Sequence, residues 1–220
     1  MSNSNHVRAI MELSESEGVF TTAQAERVGI PRDALHDAVQ SGRLERIRRG
    51  AYRLMGSGAK PEDELVAIWK LTAPDQFAYE RMRENHWDGI AIGGTSAAAL
   101  LELGDFYLSP YRFLSSHRIS TRIKSAHFAM RQVSRADVIF SHGLPLTNLE
   151  RTMMDLILDH EDPSLIIELV KDIYSPNSTI SIDYDRFLSL LSEQFGKTKA
   201  RQIIDEMLLD AGVSPRKAAQ

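Results

Sequence analysis

The residues with the clearest chemistry are arginines. Between Arg43 and Arg53 stand five of them, Arg43, Arg46, Arg48, Arg49 and Arg53, against a single acid, Glu45. Guanidinium groups set so close repel one another unless they meet acids or a polyanion, and their planar fork fits phosphate oxygens two at a time. A second stretch, residues 106–136, holds Arg112, Arg118, Arg122, Lys124, Arg131 and Arg135 and no acid. Both stripes lie in a 220-residue chain whose formal net charge is −4. Localised contact with a polyanion or an acidic partner fits this pattern. A solvated arginine face is the plain alternative for either stripe.

Other chemistries are poorly served. The chain has no cysteine, which excludes disulfides, thiol catalysis and Cys-rich zinc sites. Neither nucleotide-binding glycine loop occurs. Gly93-Gly94-Thr95-Ser96 is followed by no basic residue in its helix and reads as a tight strand–helix turn. Asp183-x-Asp185 has the spacing of a metal pair, but it opens a helix, where acids are favoured anyway. No lysine has an acid two residues before it, as the common metal-dependent nucleases require on a strand. The seven histidines are scattered. No catalytic residue, metal site or cofactor is expected. With 43% hydrophobic and 25% charged residues the chain is of ordinary globular composition. No apolar run reaches the ~18 residues of a membrane span, and the first residues lack the pattern of a signal peptide. A cytoplasmic protein is expected.

The first basic stripe needs elements to position it. Val7, Ile10 and Met11 fall at helical spacing and give a helix over 5–15. Thr21-x-x-Gln24 has capping-box spacing before a second helix, which Gly29 stops. Pro31 opens a third, with Leu35, Ala38 and Val39 inward and Arg32, Asp33, His36, Asp37 and Gln40 outward. Two β-compatible runs around Arg49-Gly50 then read as a hairpin. Three short helices and a basic hairpin are the order of a winged helix-turn-helix, whose third helix fits a major groove. Arg32, His36 and Gln40 are expected at base edges, Arg32 for guanine and Gln40 for adenine. Arg46, Arg48, Arg49 and Arg53 are expected at phosphates, with Arg43 and Tyr52 beside them, and Thr21 and Thr22 at a phosphate near their helix start. A three-helix cap that binds protein is the bland reading of the same elements.

The string from Gly18 to Ala25 (Gly-Val-Phe-Thr-Thr-Ala-Gln-Ala), then Gly29-Ile30, then Gly42 to Tyr52, resembles the N-terminal winged helix of AbiEi-type antitoxins. Thr95 to Leu100 is similar to that family's small-residue helix, and Gly143-Leu144-Pro145-Leu146-Thr147 followed by Arg151-Thr152 and Asp155-Leu156 to its second conserved segment. The resemblance covers about residues 18–157. It implies a two-domain cytoplasmic antitoxin of an abortive-infection system. The first domain would repress its own operon at promoter DNA, with inverted repeats expected. The second would counteract a co-encoded nucleotidyltransferase-like toxin.

The remainder is expected to be α+β. Residues 56–60 read as a linker between a domain at 1–55 and a larger one at 61–220. That second domain is expected to hold helices, an antiparallel sheet over about 110–142 and a helical bundle over 147–212 that opens on a Thr147-x-x-Glu150 capping box. Arg112, Arg118, Arg122, Lys124, His127 and Arg131 are expected to share the sheet's wet face as a second surface for DNA or a partner. Two other readings stand beside the antitoxin: a regulator that senses a small molecule through 61–220, and a degenerate nucleic-acid-processing enzyme.

Overall fold

In the computed structural model, residues 3–213 are described; they form ten α-helices and eight strands. The chain divides into two compact units. One is Met1–Asp88 with Phe140–Leu144, and the other is Gly89–Ile139 with Pro145–Gln220.

The first unit opens with α1 (Asn3–Glu17), β1 (Val19–Thr21), α2 (Thr22–Arg27) and α3 (Arg32–Gln40). The wing follows as β2 (Leu44–Arg48) and β3 (Ala51–Leu54). The strands form a sheet in the order β1-β3-β2, and both pairings are antiparallel. The capping box at the head of α2 is formed: Thr21 Oγ1 accepts from Gln24 N at 3.0 Å, and Thr21 N donates to Gln24 Oε1 at 2.9 Å. Ile10, Leu13, Phe20, Ile30, Leu35 and Leu44 bury the inner faces of these elements in one core. The winged helix-turn-helix is therefore present, with β1 as a third strand that the sequence pattern does not announce.

This unit does not stop at the wing. The helix α4 (Asp63–Thr72) packs on all three strands of the small sheet. It buries Leu65, Ile68 and Trp69, the stripe its sequence displays. Three ion pairs fasten it: Arg53 with Asp63, Arg48 with Glu64, and Lys70 with Glu17. A short helix α5 (Ala78–Arg81) and a 3-10 turn at Glu84–His86 complete the segment. The ring of Phe140 lies 6.3 Å from that of Trp69 within the same unit. The division thus falls at Asp88/Gly89, not at 56–60. Residues 56–60 are held in place: Arg53 Nη1 donates to the Gly58 carbonyl at 3.1 Å, and Lys60 N to Asp63 at 2.9 Å.

Arg27 and Glu80 join α2 to α5 through a two-pronged pair, at 2.7 and 2.8 Å. The Arg27 guanidinium and the Phe77 N–H hold the Glu80 carboxyl down to about 2, against an ordinary 4.5. Because the folded state keeps Glu80 ionised where the unfolded chain would protonate, the unfolded chain binds more protons between pH 4.5 and about 2. Stability from this pair is complete above 4.5 and lost as pH falls through that window. Glu80→Gln is expected to flatten the acid slope of thermal stability there while lowering stability at pH 7. An unchanged slope in a pH series of melting curves would refute this.

The second unit is built on a five-stranded sheet of order β6-β5-β4-β8-β7. It comprises β4 (Ile90–Ile92), α6 (Gly94–Leu100), β5 (Tyr111–Ser115), β6 (Ala126–Met130), β7 (Val138–Ser141) up to Ile139, β8 (Leu144–Thr147) from Pro145 on, and four later helices. Those are α7 (Leu149–Leu158), α8 (Pro163–Ile173), α9 (Tyr184–Phe195) and α10 (Lys197–Asp210). β4 pairs antiparallel with β5, but β5–β6, which lies inside the span 110–142 where an antiparallel sheet is expected, runs parallel, as does β4–β8. Among the helices, Met153, Leu169, Phe187, Leu191 and Ile204 belong to one buried cluster. The cap of α7 differs from the sequence reading. Asn148, not Thr147, accepts from Arg151 N at 3.0 Å. Thr147 ends β8 and turns its hydroxyl to Thr152 at 2.7 Å, while Glu150 accepts from Asp183 N at 2.7 Å. Asp183 caps α9 by accepting from Arg186 N, which accounts for its place in the Asp183-x-Asp185 pair.

Candidate nucleic-acid interface

A groove of about 600 Å³ runs between α3 and the wing, lined by Thr22, Arg32, Asp33, His36, Arg46, Arg49, Gly50 and Tyr52. Each side is positioned by local sequence. On α3, Leu35 and Ala38 are buried, so Arg32 and His36, one turn apart, face outward. On the wing, strand alternation sorts the arginines. Arg46 pairs with Tyr52 across the ladder, and its guanidinium lies 5.7 Å from the Tyr52 ring centre. Between Arg46 and Arg48 the register shifts, so Arg48 comes opposite Ala51. This bulge turns Arg48 to the face that carries Arg53 and Glu45, where α4 packs. Gly50 sits at the wing tip with φ of 86°, a conformation that side chains rarely adopt. Its carbonyl accepts from Thr22 N at 3.0 Å, which ties the wing tip to the start of α2.

The expected site residues therefore separate into three groups. Thr22, Arg32, His36, Arg46, Arg49 and Tyr52 line the groove, the last through the face of a buried ring. Gln40 and Arg43 are exposed near the far end of α3 and do not line it. Thr21, Arg48 and Arg53 are corrected to structural roles. Thr21 is 1% exposed; its hydroxyl caps α2 and donates to the Pro74 carbonyl. Arg53 is buried between Glu45 and Asp63, and Arg48 is half-buried against Glu64. A guanidinium already neutralised by acids and removed from water has little left to give a phosphate.

Sequence reasoning missed two acids of this site. Asp33 lines the groove, and Glu26 holds Arg32 through a 2.6 Å pair between two exposed side chains. Asp33 lies in the first turn of its helix, where the macrodipole favours an acid, and that ordinary reason hid its position. A carboxylate there repels phosphate and accepts from a base amino group, so it fits the reading of base edges.

The second basic surface is likewise reduced. Arg131 donates to Asp155 at 2.8 Å and to Asp159 at 2.7 Å. Arg112 donates to Asp159 at 3.0 Å, and Arg151 to Asp155 at 3.1 Å. The three arginines and two aspartates form a chain of alternating charge that ties β5 and the end of β6 to α7. Arg112 and Arg131 thus belong to the framework, not to a free basic face. Arg118, Arg122, Lys124 and His127 stay exposed, the first three on the connection from β5 to β6. Phe128 stacks on Phe113 at 4.4 Å, whereas Met130 on the same strand is 75% exposed at the sheet edge.

Among the described residues no group of three or more His, Asp or Glu side chains is arranged to hold a metal, and no helix is long and apolar enough to cross a membrane. A search among curated proteins finds no match. Of solved structures, the chain is similar to the crystal structure of the RV2827C protein from Mycobacterium tuberculosis. Their identity is 16% and the TM-score 0.58, over 96% of this chain and 78% of that one. At that identity the likeness establishes a shared fold. Residues 8–54 match the family model described as "Transcriptional regulator, AbiEi antitoxin". The match runs from α1 to the last residue of β3 and takes in both walls of the groove. Over these residues the winged helix-turn-helix is similar to the AbiEi family of antitoxin transcriptional regulators.

Proposed function

We propose that this protein is a cytoplasmic antitoxin that represses its own operon. It binds inverted repeats in the promoter through the groove between α3 and the wing, and it counteracts a co-encoded nucleotidyltransferase-like toxin through its second unit. The observation that carries the DNA reading is the groove itself. It has two exposed arginines on the wing wall and the outward face of α3 opposite, next to one another on one side of the molecule. Arg46 and Arg49 serve phosphates, and Arg32, His36 and Asp33 face base edges. The toxin role rests on the family match of residues 8–54.

The assignment of specificity to α3 has a direct test. Arg32→Ala is expected to cost about 1–3 kcal/mol at one base position and to relax preference there. Binding-site selection with wild type and variant reads this out, and identical motifs would refute it. Co-expression of the chain with the product of the neighbouring gene tests the second role. Rescue of growth by the full chain is the expected result, and growth arrest despite normal expression of the chain would overturn it.

A further inference from the structure

We propose that α10 is a docking surface for a second copy of this chain, laid antiparallel against the α10 of its partner. The helix presents Lys197, Lys199, Arg201, Gln202, Asp205, Glu206 and Asp210 to solvent and buries Ala200, Ile204 and Leu208. Its charges are segregated: three cations lie in the first five residues and three acids in the last six. That order opposes the helix macrodipole, which favours acids at the N-terminus and cations at the C-terminus. Pairing within the helix does not explain it either. Arg201 and Asp205 have i,i+4 spacing, but cation before acid is the weaker orientation. Among the described residues no ion pair joins any of the six charges. The side-chain bonds along this face run instead from Lys199 to Gln202 at 3.5 Å and from Gln202 to Glu206 at 2.7 Å.

A second copy related by a two-fold axis resolves both points. With the axis at the helix centre, between Ile203 and Ile204, and the exposed face turned to the partner, Arg201 comes beside the partner's Asp205 and Lys199 beside the partner's Glu206, each twice. In the same register Leu209, 74% exposed, lies over the methyl of the partner's Thr198. A parallel arrangement would set like charges against like, so the pattern itself selects the antiparallel one. The contact is isologous and closes on itself. A depression of about 420 Å³ along this face, lined by Lys197, Thr198, Arg201, Gln202, Asp205 and Glu206, receives the partner's side chains. Fourteen residues of helix span only about 21 Å, well short of the ~1,600 Å² that a stable complex buries. The association is therefore weak, charge-dependent and screened by salt. It does not depend on the DNA reading above.

Sedimentation equilibrium of the full chain tests the proposal. Self-association is expected at high micromolar concentration in about 50 mM salt and should weaken at least about tenfold in about 500 mM. Lys199→Glu with Arg201→Glu leaves Lys197 as the one cation of this face; Asp205→Lys with Glu206→Lys leaves Asp210 as its one acid. Either double variant alone is expected to be monomeric. Their equimolar mixture should associate again, and so should the chain carrying all four changes. If either double variant fails to fold by circular dichroism, Arg201→Glu and Asp205→Arg make the same swap at one cross-pair. A chain ending at Val213 should associate as the full chain does. Loss of association there would assign the acids to Arg216 and Lys217 and overturn the proposal. A wild type that is monomeric throughout, folded variants that associate like wild type, or a mixture that stays monomeric would each overturn it too.

Discussion

Alanine at Arg46 and Arg49 together is expected to weaken binding to operator and random duplex alike, by at least about tenfold, since one charge-assisted hydrogen bond is worth about 1.5–3 kcal/mol. Both side chains are exposed and line the groove, and neither is ion-paired among the described residues. The plot of log affinity against log salt should become shallower by about 1.8, since each neutralised phosphate contributes about 0.9 to the slope. The contrast with the two other wing arginines carries the argument. Arg48 and Arg53 are held by Glu64, Glu45 and Asp63 on the face beneath α4. Alanine there should lower melting temperature while the salt slope stays that of wild type. Titration by fluorescence anisotropy at three salt concentrations separates the two cases. An unchanged slope for the Arg46/Arg49 variant, or a slope lowered by the Arg48/Arg53 variant at full stability, would show that the groove is misassigned.

Lys70→Met is expected to destabilise the first unit by about 3–5 kcal/mol, the usual cost of removing one partner from a buried ion pair. Against a total of about 5–15 kcal/mol for a typical domain, that is a large share. The Lys70 and Glu17 side chains are 2% and 4% exposed. Burial pulls the Lys70 amine below its ordinary range, and Glu17 opposes that pull. Lys70 Nζ also donates to the Glu17 carbonyl at 3.1 Å. Without Lys70, the Glu17 carboxylate would keep only neutral donors, Gln24 Nε2 at 3.2 Å and Ala78 N at 3.3 Å. Adding Glu17→Gln to Lys70→Met should recover most of the loss, because the uncompensated charge is then gone. Urea unfolding of the full chain checks both steps. A single variant as stable as wild type would mean that the carboxylate finds water or a proton at little cost.

The helices of the first unit were legible because each carries its own punctuation. Gly18, Gly29 and Gly42 all adopt positive φ at the ends of α1, α2 and α3, and Thr21 with Gln24 forms the box that its spacing announces. The fate of the arginines was not legible, because it depends on residues far along the chain. Nothing near Arg53 in sequence says that Asp63 will neutralise it from the next helix. The bulge that turns Arg48 away has no glycine to mark it. In the second unit the acid-free stretch read as one surface, since charge was counted along the chain. Asp155 and Asp159, presented one turn apart by α7, claim Arg112 and Arg131 from a distance in sequence that no local pattern spans. The family match ends at Leu54, before α4 begins. The groove is a local object, whereas the helix that braces it from behind comes from the following segment.

Phe140–Leu144 belongs to the first unit although 51 residues of the second precede it in the chain. On the ribosome this order sets a schedule. At about 5–20 residues per second, the stretch from Gly89 to Ile139 takes roughly 3–10 s to synthesise. For that long after Asp88 has left the exit tunnel, the groove walls and α4 are out, while the Trp69 ring still lacks Phe140 and Glu62 lacks the His142 ring nitrogen that lies 3.2 Å from it in the finished fold. The unit that carries the groove is thus completed late in translation, after most of the second unit's strands have left the ribosome. A nascent or prematurely released chain carries the groove without its last brace.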